Sequence, residues 1–257
     1  MTSPLNEVLE TLSGSVRYHA WTYQHLRSDL GQNILDVGSG LGDLPRLFGA
    51  KGDRTVIVSD ADDELVARLR RRYAGCPNYR VMRLCIVDGH APTLLPPGII
   101  DTITCVNMLE HVRRDRKALL NMHRILAPCG KLLLIVPALP CLFGAADQAV
   151  GHYRRYTTQS LNKKLHQVGF VVEKQRYMNF FGLFTWWLGS TVLGYRMFHA
   201  RTCQRLDRIV PWLERFERMW TPSVGQSLVT VCRKMIVTNR KGTRDAAPAP
   251  SRIKAYG

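Results

Sequence analysis

No two cysteines of this 257-residue chain are spaced as Cys-x-x-Cys. The seven present stand scattered at positions 76, 85, 105, 129, 141, 203 and 232, which argues against a zinc site and against a disulfide framework. Cys85, Cys105 and Cys232 lie in apolar runs, as reduced and inert core thiols do, and that usage suits a reducing cytoplasm. No metal ligand set is expected. The N-terminus, Met1-Thr-Ser-Pro-Leu-Asn-Glu7, has neither the basic stretch nor the apolar run of a secretory signal, so a cytoplasmic protein is expected. No internal repeat is visible. Acidic residues are scarce towards the C-terminus: residues 151–257 hold 5 Asp/Glu against 19 Lys/Arg, whereas residues 1–150 hold 15 against 17.

The net charge of +16 is therefore carried almost entirely by the C-terminal part. Such an excess suits an anionic partner, whether a phosphorylated substrate, a lipid surface or nucleic acid, and equally suits a solvated basic surface. With 46% hydrophobic and 22% charged residues, the composition is that of a globular chain able to bury a large core.

The hydrophobic pattern alternates between two periods. Residues 4–29 read as one or two helices. Strands are expected at 34–37, 55–58, 79–86, 102–106, 131–136, from 170 onward, and at 227–237. Asp62 is placed to cap a helix bearing Leu65, Val66, Leu69 and Tyr73 at helical spacing, and Thr158 to cap one bearing Leu161, Leu165 and Val168. Strands alternating with helices imply an α/β fold with a mostly parallel sheet covered on both faces.

The most informative stretch is Asp36-Val37-Gly38-Ser39-Gly40-Leu41-Gly42, which leaves one strand and opens a helix. Glycines let a backbone turn sharply and approach a ligand closely. A dinucleotide loop would place its third glycine at position 43, where Asp43 stands. The second strand ends at Ser59-Asp60, where a carboxylate can accept hydrogen bonds from both hydroxyls of a ribose. The third ends at Val87-Asp88-Gly89, and the fourth runs into Asn107-Met-Leu-Glu-His111.

This acid-x-Gly-x-Gly-x-Gly loop, with the later acids and the Leu-Glu-His element in order, resembles the class I S-adenosylmethionine-dependent methyltransferases. The resemblance covers roughly residues 15–176 and the last strand. It implies a Rossmann-like three-layer sandwich with a seven-stranded, mostly parallel sheet whose last strand is antiparallel. It implies S-adenosylmethionine as cofactor, held by Asp36, Gly38, Ser39, Gly40, Gly42, Asp60, Ala61, Asp88, Gly89 and Asn107, with Asp88 meeting the adenine amino group. Each acid has a plainer role open to it as a cap or turn residue. Glu110 and His111 either serve the chemistry or tie the loop after the fourth strand to its neighbour.

On the acceptor side, Asp147-Gln-Ala-Val-Gly-His152-Tyr153-Arg154-Arg155-Tyr156 gathers a base, two guanidiniums, two phenols and a carboxylate. It looks like the Gly-His-x-Arg-Arg-Tyr element of a bacterial subset of these enzymes, of the type 11 and type 23 kind. His152 can abstract a proton, with Tyr153 and His111 as further candidates, and Arg154 or Arg155 can hold an anion bidentately. The other arrangement open to this segment is an Asp147–Arg ion pair that orders the loop.

Residues 178–226 read as a helical, aromatic cap inserted between strands six and seven, leaving 1–30 as N-terminal helices, 31–177 with 227–238 as the core, and 239–257 as a disordered basic tail. Residues 177–195 carry no charge but are diluted by glycine, Asn179, Thr185, Ser190 and Thr191. A membrane span there would also put strands six and seven on opposite sides of a bilayer. A lid over an apolar substrate, or a patch dipping into a membrane interface, fits better. Beyond it, Leu206, Ile209, Leu213, Phe216 and Trp220 alternate with arginines on a helix that Pro211 is expected to kink or restart. The expected activity is methyl transfer to a small or lipid-like acceptor, with peripheral membrane contact. A nucleic-acid methyltransferase is disfavoured by the lack of an Asn-Pro-Pro-Tyr-type motif at Asn107-Met-Leu-Glu, and a non-catalytic scaffold by the complete glycine loop. Nothing in the sequence sets an oligomeric state.

Overall fold

The computed structural model describes residues 4–195 and 200–235. The expected tail and the end of the seventh strand lie outside the described residues. The chain begins with helices α1 (Pro4–Ser13) and α2 (Val16–Leu26), then runs β1 (Asn33–Val37), α3 (Pro45–Phe48), β2 (Thr55–Asp60), α4 (Asp63–Arg72), β3 (Tyr79–Arg83), β4 (Ile100–Val106), α5 (Asp115–Ile125) and β5 (Leu126–Pro137). There follow α6 (Ala145–Ala149), α7 (Thr158–Gln167), β6 (Phe170–Met178), α8 (Phe180–Trp186), a π-helical turn (Trp187–Val192), α9 (Ala200–Met219) and β7 (Ser227–Lys234).

The seven strands form one sheet in the order β3-β2-β1-β4-β5-β7-β6. Strands β1 to β5 pair in parallel, and β7 runs antiparallel to both β5 and β6. This is the mostly parallel sheet that the alternating pattern implied, with the Rossmann-like order and antiparallel last strand that the resemblance implied. All five residues of β1 are buried because helices cover both sheet faces. The two-residue period divides its side chains. Leu35 and Val37 join Leu119, Leu161 and Leu165 on one face, while Ile34 joins Trp21, Leu69 and Val210 on the other.

Local chemistry sets the element ends. Asp62 caps α4, its Oδ1 accepting from the amides of Glu64 at 2.8 Å and Leu65 at 3.0 Å. Helix α7 is capped one residue earlier than expected, by Thr157 instead of Thr158: the Thr157 hydroxyl accepts from the Ser160 amide at 3.0 Å and the Ser160 hydroxyl returns the bond. Strand β3 stops at Arg83, short of the expected residue 86, because the amide of Asp88 turns back onto the Cys85 carbonyl at 2.9 Å. Pro211 does not end α9, which continues through it. Two acids hold that helix on either side of the proline. Asp207 accepts from the amides of Arg17 and Tyr18 at the start of α2, and Glu217 from those of Asn179 and Phe180 at the start of α8. Both satisfy helix-start amides that have no intrahelical partner.

Candidate active site

The glycine loop lies at the carboxyl end of β1, the usual ligand edge of an open α/β sheet. Gly38 and Gly42 have φ of 75° and 81°. A Cβ on Gly38 would come within 2.3 Å of Met108 Cγ, and one on Gly42 within 2.8 Å of Leu69 Cδ2. Only glycine meets both the conformation and the space. Asp36 supports the loop from beneath. It is buried, and its carboxylate accepts from the hydroxyls of Thr104 and Ser39. Burial pushes its pKa up to about 6, against those hydrogen bonds.

Asp60 ends β2 and accepts from the Gly40 amide at 3.0 Å and the Asp62 amide at 3.1 Å. Burial raises its pKa and the backbone amides oppose the shift. Ala61 follows it, exposed. Asp88 and Gly89 are exposed in the turn after β3, which Asn121 of α5 anchors by donating to the Ile86 and Asp88 carbonyls, each at 2.8 Å. Asn107 sits at the end of β4 with φ of 49°, its amide donating to Ile135. The structure thus brings every residue proposed for the cofactor to the carboxyl ends of β1 to β4. The glycine positions that a Cβ would fill, with Asp60 one strand away, fit a ribose-bearing ligand such as S-adenosylmethionine.

A cavity of about 340 Å³ adjoins this edge. Its apolar walls come from α1 (Val8, Leu9, Leu12), α2 (Tyr18, Trp21), α8 (Phe181, Trp186) and α9 (Leu206, Val210, Leu213). Leu9 also touches the glycine loop, 3.2 Å from where a Gly40 Cβ would lie. Helix α1 therefore borders both the loop and the cavity. Its part was not legible in sequence, where residues 4–29 showed only helical spacing.

One wall is polar. Glu110 is buried, its Oε2 has no partner among the described residues, and burial raises its pKa to about 8. His111 lies edge-on to His152 with ring centroids 4.6 Å apart, and burial, then the neighbouring His152, lowers its pKa to about 4. His152 Nδ1 is 2.7 Å from Asp147 Oδ1, and its Nε2 is 3.9 Å from Glu110 Oε1. Arg155 Nε donates to both Asp147 oxygens at 3.0 Å, Nη1 donates to the Ala138 carbonyl, and the guanidinium lies 4.7 Å from the Trp186 ring. Asp147 also accepts from the Gly144 amide and Trp186 Nε1. The structure shows the Asp147–Arg ion pair, made by Arg155, and this pair can coexist with a role for His152 in the chemistry. Arg154 turns away to Asp115 at 2.7 Å, and Tyr153 is exposed on the surface. The structure thus brings His111, His152 and Arg155 to the cavity, and neither Tyr153 nor Arg154.

Residues 16–175 match a family described as a methyltransferase domain. Among curated proteins, the ubiquinone/menaquinone biosynthesis C-methyltransferase of Vibrio cholerae is 36% identical over 119 residues, 44% of each chain. That of Yersinia pestis is 31% identical over 155 residues, 58% of each. The chain spans about half the length of these relatives. Among solved structures, an S-adenosylmethionine-dependent methyltransferase of Mesorhizobium loti superposes with a TM-score of 0.58 at 17% identity, covering 87% of this chain and 100% of that one. Phosphoethanolamine N-methyltransferase 2 of Haemonchus contortus, solved with S-adenosyl-L-methionine, gives 0.56 at 13%, covering 84% and 51%. Both share the fold.

Proposed function

The chain belongs to the class I S-adenosylmethionine-dependent methyltransferases, and from that premise we propose that its acceptor is an apolar, lipid-like molecule seated between α1, α2, α8 and α9. The observation that carries this is the cavity itself: aliphatic and aromatic walls with a single polar wall beside the cofactor edge. When bound, S-adenosylmethionine supplies an electrophilic methyl carbon. The chain's own residues position and enclose. Asp60 would hold the ribose, the glycine loop would allow the cofactor's close approach, and Asp88 would meet the adenine. Glu110, His111 and His152 meet the polar end of the acceptor, and the apolar walls exclude water. A ring with oxygen substituents and an aliphatic tail fits this division, and the quinone biosynthesis named for the Vibrio and Yersinia relatives supports that class. The apolar walls disfavour a nucleotide.

Leu213→Trp, which fills the cavity from α9, separates the two halves of this reading. S-adenosylhomocysteine affinity, followed by calorimetry, is expected to stay within about twofold. Methyl transfer from labelled S-adenosylmethionine to isoprenoid phenols and quinols is expected to fall on the order of 100-fold. Parent protein that methylates only hydrophilic acceptors would overturn the proposal.

The outer face of the same helices supports delivery from a membrane surface. Phe184, Trp187, Leu188, Trp212 and Met219 are exposed, Trp212 and Met219 at 75% each. Arg205, Arg208 and Arg215 stand exposed among them, while the acids of α9 are engaged: Asp207 accepts from the Arg17 and Tyr18 amides, Glu217 from the Asn179 and Phe180 amides, and Glu214 pairs with Arg218. Among the described residues no helix is long and apolar enough to cross a membrane. Such a surface inserts its aromatics at the headgroup level and its arginines against anionic lipid. In vesicle co-sedimentation, binding is expected to phosphatidylglycerol-containing vesicles, to weaken with salt, and to fall roughly tenfold in Trp187→Ala/Trp212→Ala. Equal recovery in the supernatant with and without vesicles would remove the membrane from the proposal.

A further inference from the structure

The polar wall of the cavity holds a fully buried carboxylate with an oxygen that no described residue satisfies. Glu110 Oε2 has no hydrogen-bond partner among the described residues, a costly state for a buried polar atom unless a ligand completes it. Two imidazoles stand beside the same carboxylate. His152 is fixed through Nδ1 by Asp147 at 2.7 Å, which leaves Nε2 facing Glu110. His111 stands edge-on to His152, ring centroids 4.6 Å apart. One ligand atom from each of Glu110, His111 and His152 lies within 4.8 Å of the others.

We propose that Glu110, His111 and His152 bind a divalent first-row transition cation, such as zinc or manganese, with an open coordination position facing the acceptor cavity. The ligand set is two imidazoles and one carboxylate, which suits such ions and leaves room for one exogenous oxygen. Around a tetrahedral ion with bonds of about 2.0–2.2 Å, ligand atoms sit about 3.3–3.6 Å apart. Side-chain rotations that bring the three atoms together by roughly 1 Å therefore close the site. An anchored second nitrogen, as on His152, is what orients a metal-bound imidazole. His152 presents Nε2 because its Nδ1 is engaged by the carboxylate of Asp147. The expectation from cysteine spacing was no metal. The three ligands come instead from the loop after β4 and the segment after α6, which no local spacing announces. The inference rests on reading this cavity as the acceptor site. There the ion takes an oxygen of the acceptor as its further ligand and favours the deprotonated form of that oxygen.

The test uses the full chain after dialysis against a chelator. Zinc chloride is titrated by calorimetry, and cobalt(II) chloride is followed by visible absorption, with S-adenosylhomocysteine binding measured on the same samples. One ion per chain is expected, with d–d bands of a nitrogen- and oxygen-ligated cobalt and no thiolate charge-transfer band. Glu110→Gln and His111→Gln are each expected to weaken binding at least roughly 10–100-fold while S-adenosylhomocysteine still binds, which shows that the variants are folded. Unchanged ion affinity in both variants, or a thiolate band placing the ion on cysteine, would overturn the site. Parent protein that binds S-adenosylhomocysteine but neither ion would overturn it too, and would leave the methyl-transfer reading standing. Failure of the parent to bind S-adenosylhomocysteine would strike that reading itself.

Discussion

Asp147→Ala is expected to destabilise the fold by about 3–5 kcal/mol, the usual cost of breaking a buried pair from one side. For a chain of this size that lowers the unfolding midpoint by roughly 10 °C, read by calorimetry or circular dichroism. The reason is convergence. The carboxylate has no exposed surface, and four groups address it: His152, Arg155 through both oxygens, the Gly144 amide and Trp186 Nε1. Removing it strands the Arg155 guanidinium, whose side chain is 1% exposed, beside an apolar ring and a single carbonyl. Asp147→Asn keeps an acceptor for the Gly144 amide but not the charge, so an intermediate loss is expected. Arg154→Ala provides the contrast. Its pair with Asp115 is partly exposed, Lys164 and the Tyr156 hydroxyl remain on that carboxylate, and a loss of about 1 kcal/mol or less is expected. Equal losses in Asp147→Ala and Arg154→Ala would refute the view that Asp147 is the organising group of this segment.

The contrast between these two arginines shows where sequence reasoning stops. Strands β1, β2, β4 and β5 were readable because a strand covered on both faces must be apolar throughout, and the glycine loop because sharp turns restrict residue type. The site's polar wall obeys no such local rule. Adjacent Arg154 and Arg155 look alike in sequence, yet Arg154 turns to Asp115 of α5 and Arg155 to Asp147 of α6, since successive side chains in an extended segment point to opposite sides. Asp207 serves the amides of Arg17 and Tyr18, 190 and 189 residues away. That bond exists only once α9 packs on α2, so no window of sequence contains it. Pro211 was expected to kink or restart this helix; α9 runs through it without a restart, with an acid pinned on either side. Glu110 was legible as part of a Leu-Glu-His element, but its unsatisfied oxygen is a property of burial.

Asp60→Ala is expected to weaken S-adenosylhomocysteine by on the order of 100-fold, about 3 kcal/mol in calorimetry. The carboxylate stands at the end of β2, one strand from the glycine loop, which is where a ribose reaches in this architecture. Its Oδ2 accepts from the Gly40 amide and its Oδ1 from the Asp62 amide. Each oxygen thus has one lone pair spent on fixing the carboxylate and another available to a ribose hydroxyl. Hydrogen bonds to a charged acceptor contribute about 1.5–3 kcal/mol each, and two of them account for the expected loss. Because the Gly40 amide loses its acceptor as well, the ligand-free midpoint must be measured alongside. Part of the effect travels through the loop, and that part appears without ligand. Asp60→Asn keeps the shape and one acceptor oxygen, so a loss of roughly tenfold is expected, between parent and alanine. If Asp60→Ala binds within about threefold of the parent, the ribose is not held at β2, and Asp60 serves only to tie the glycine loop to its neighbour.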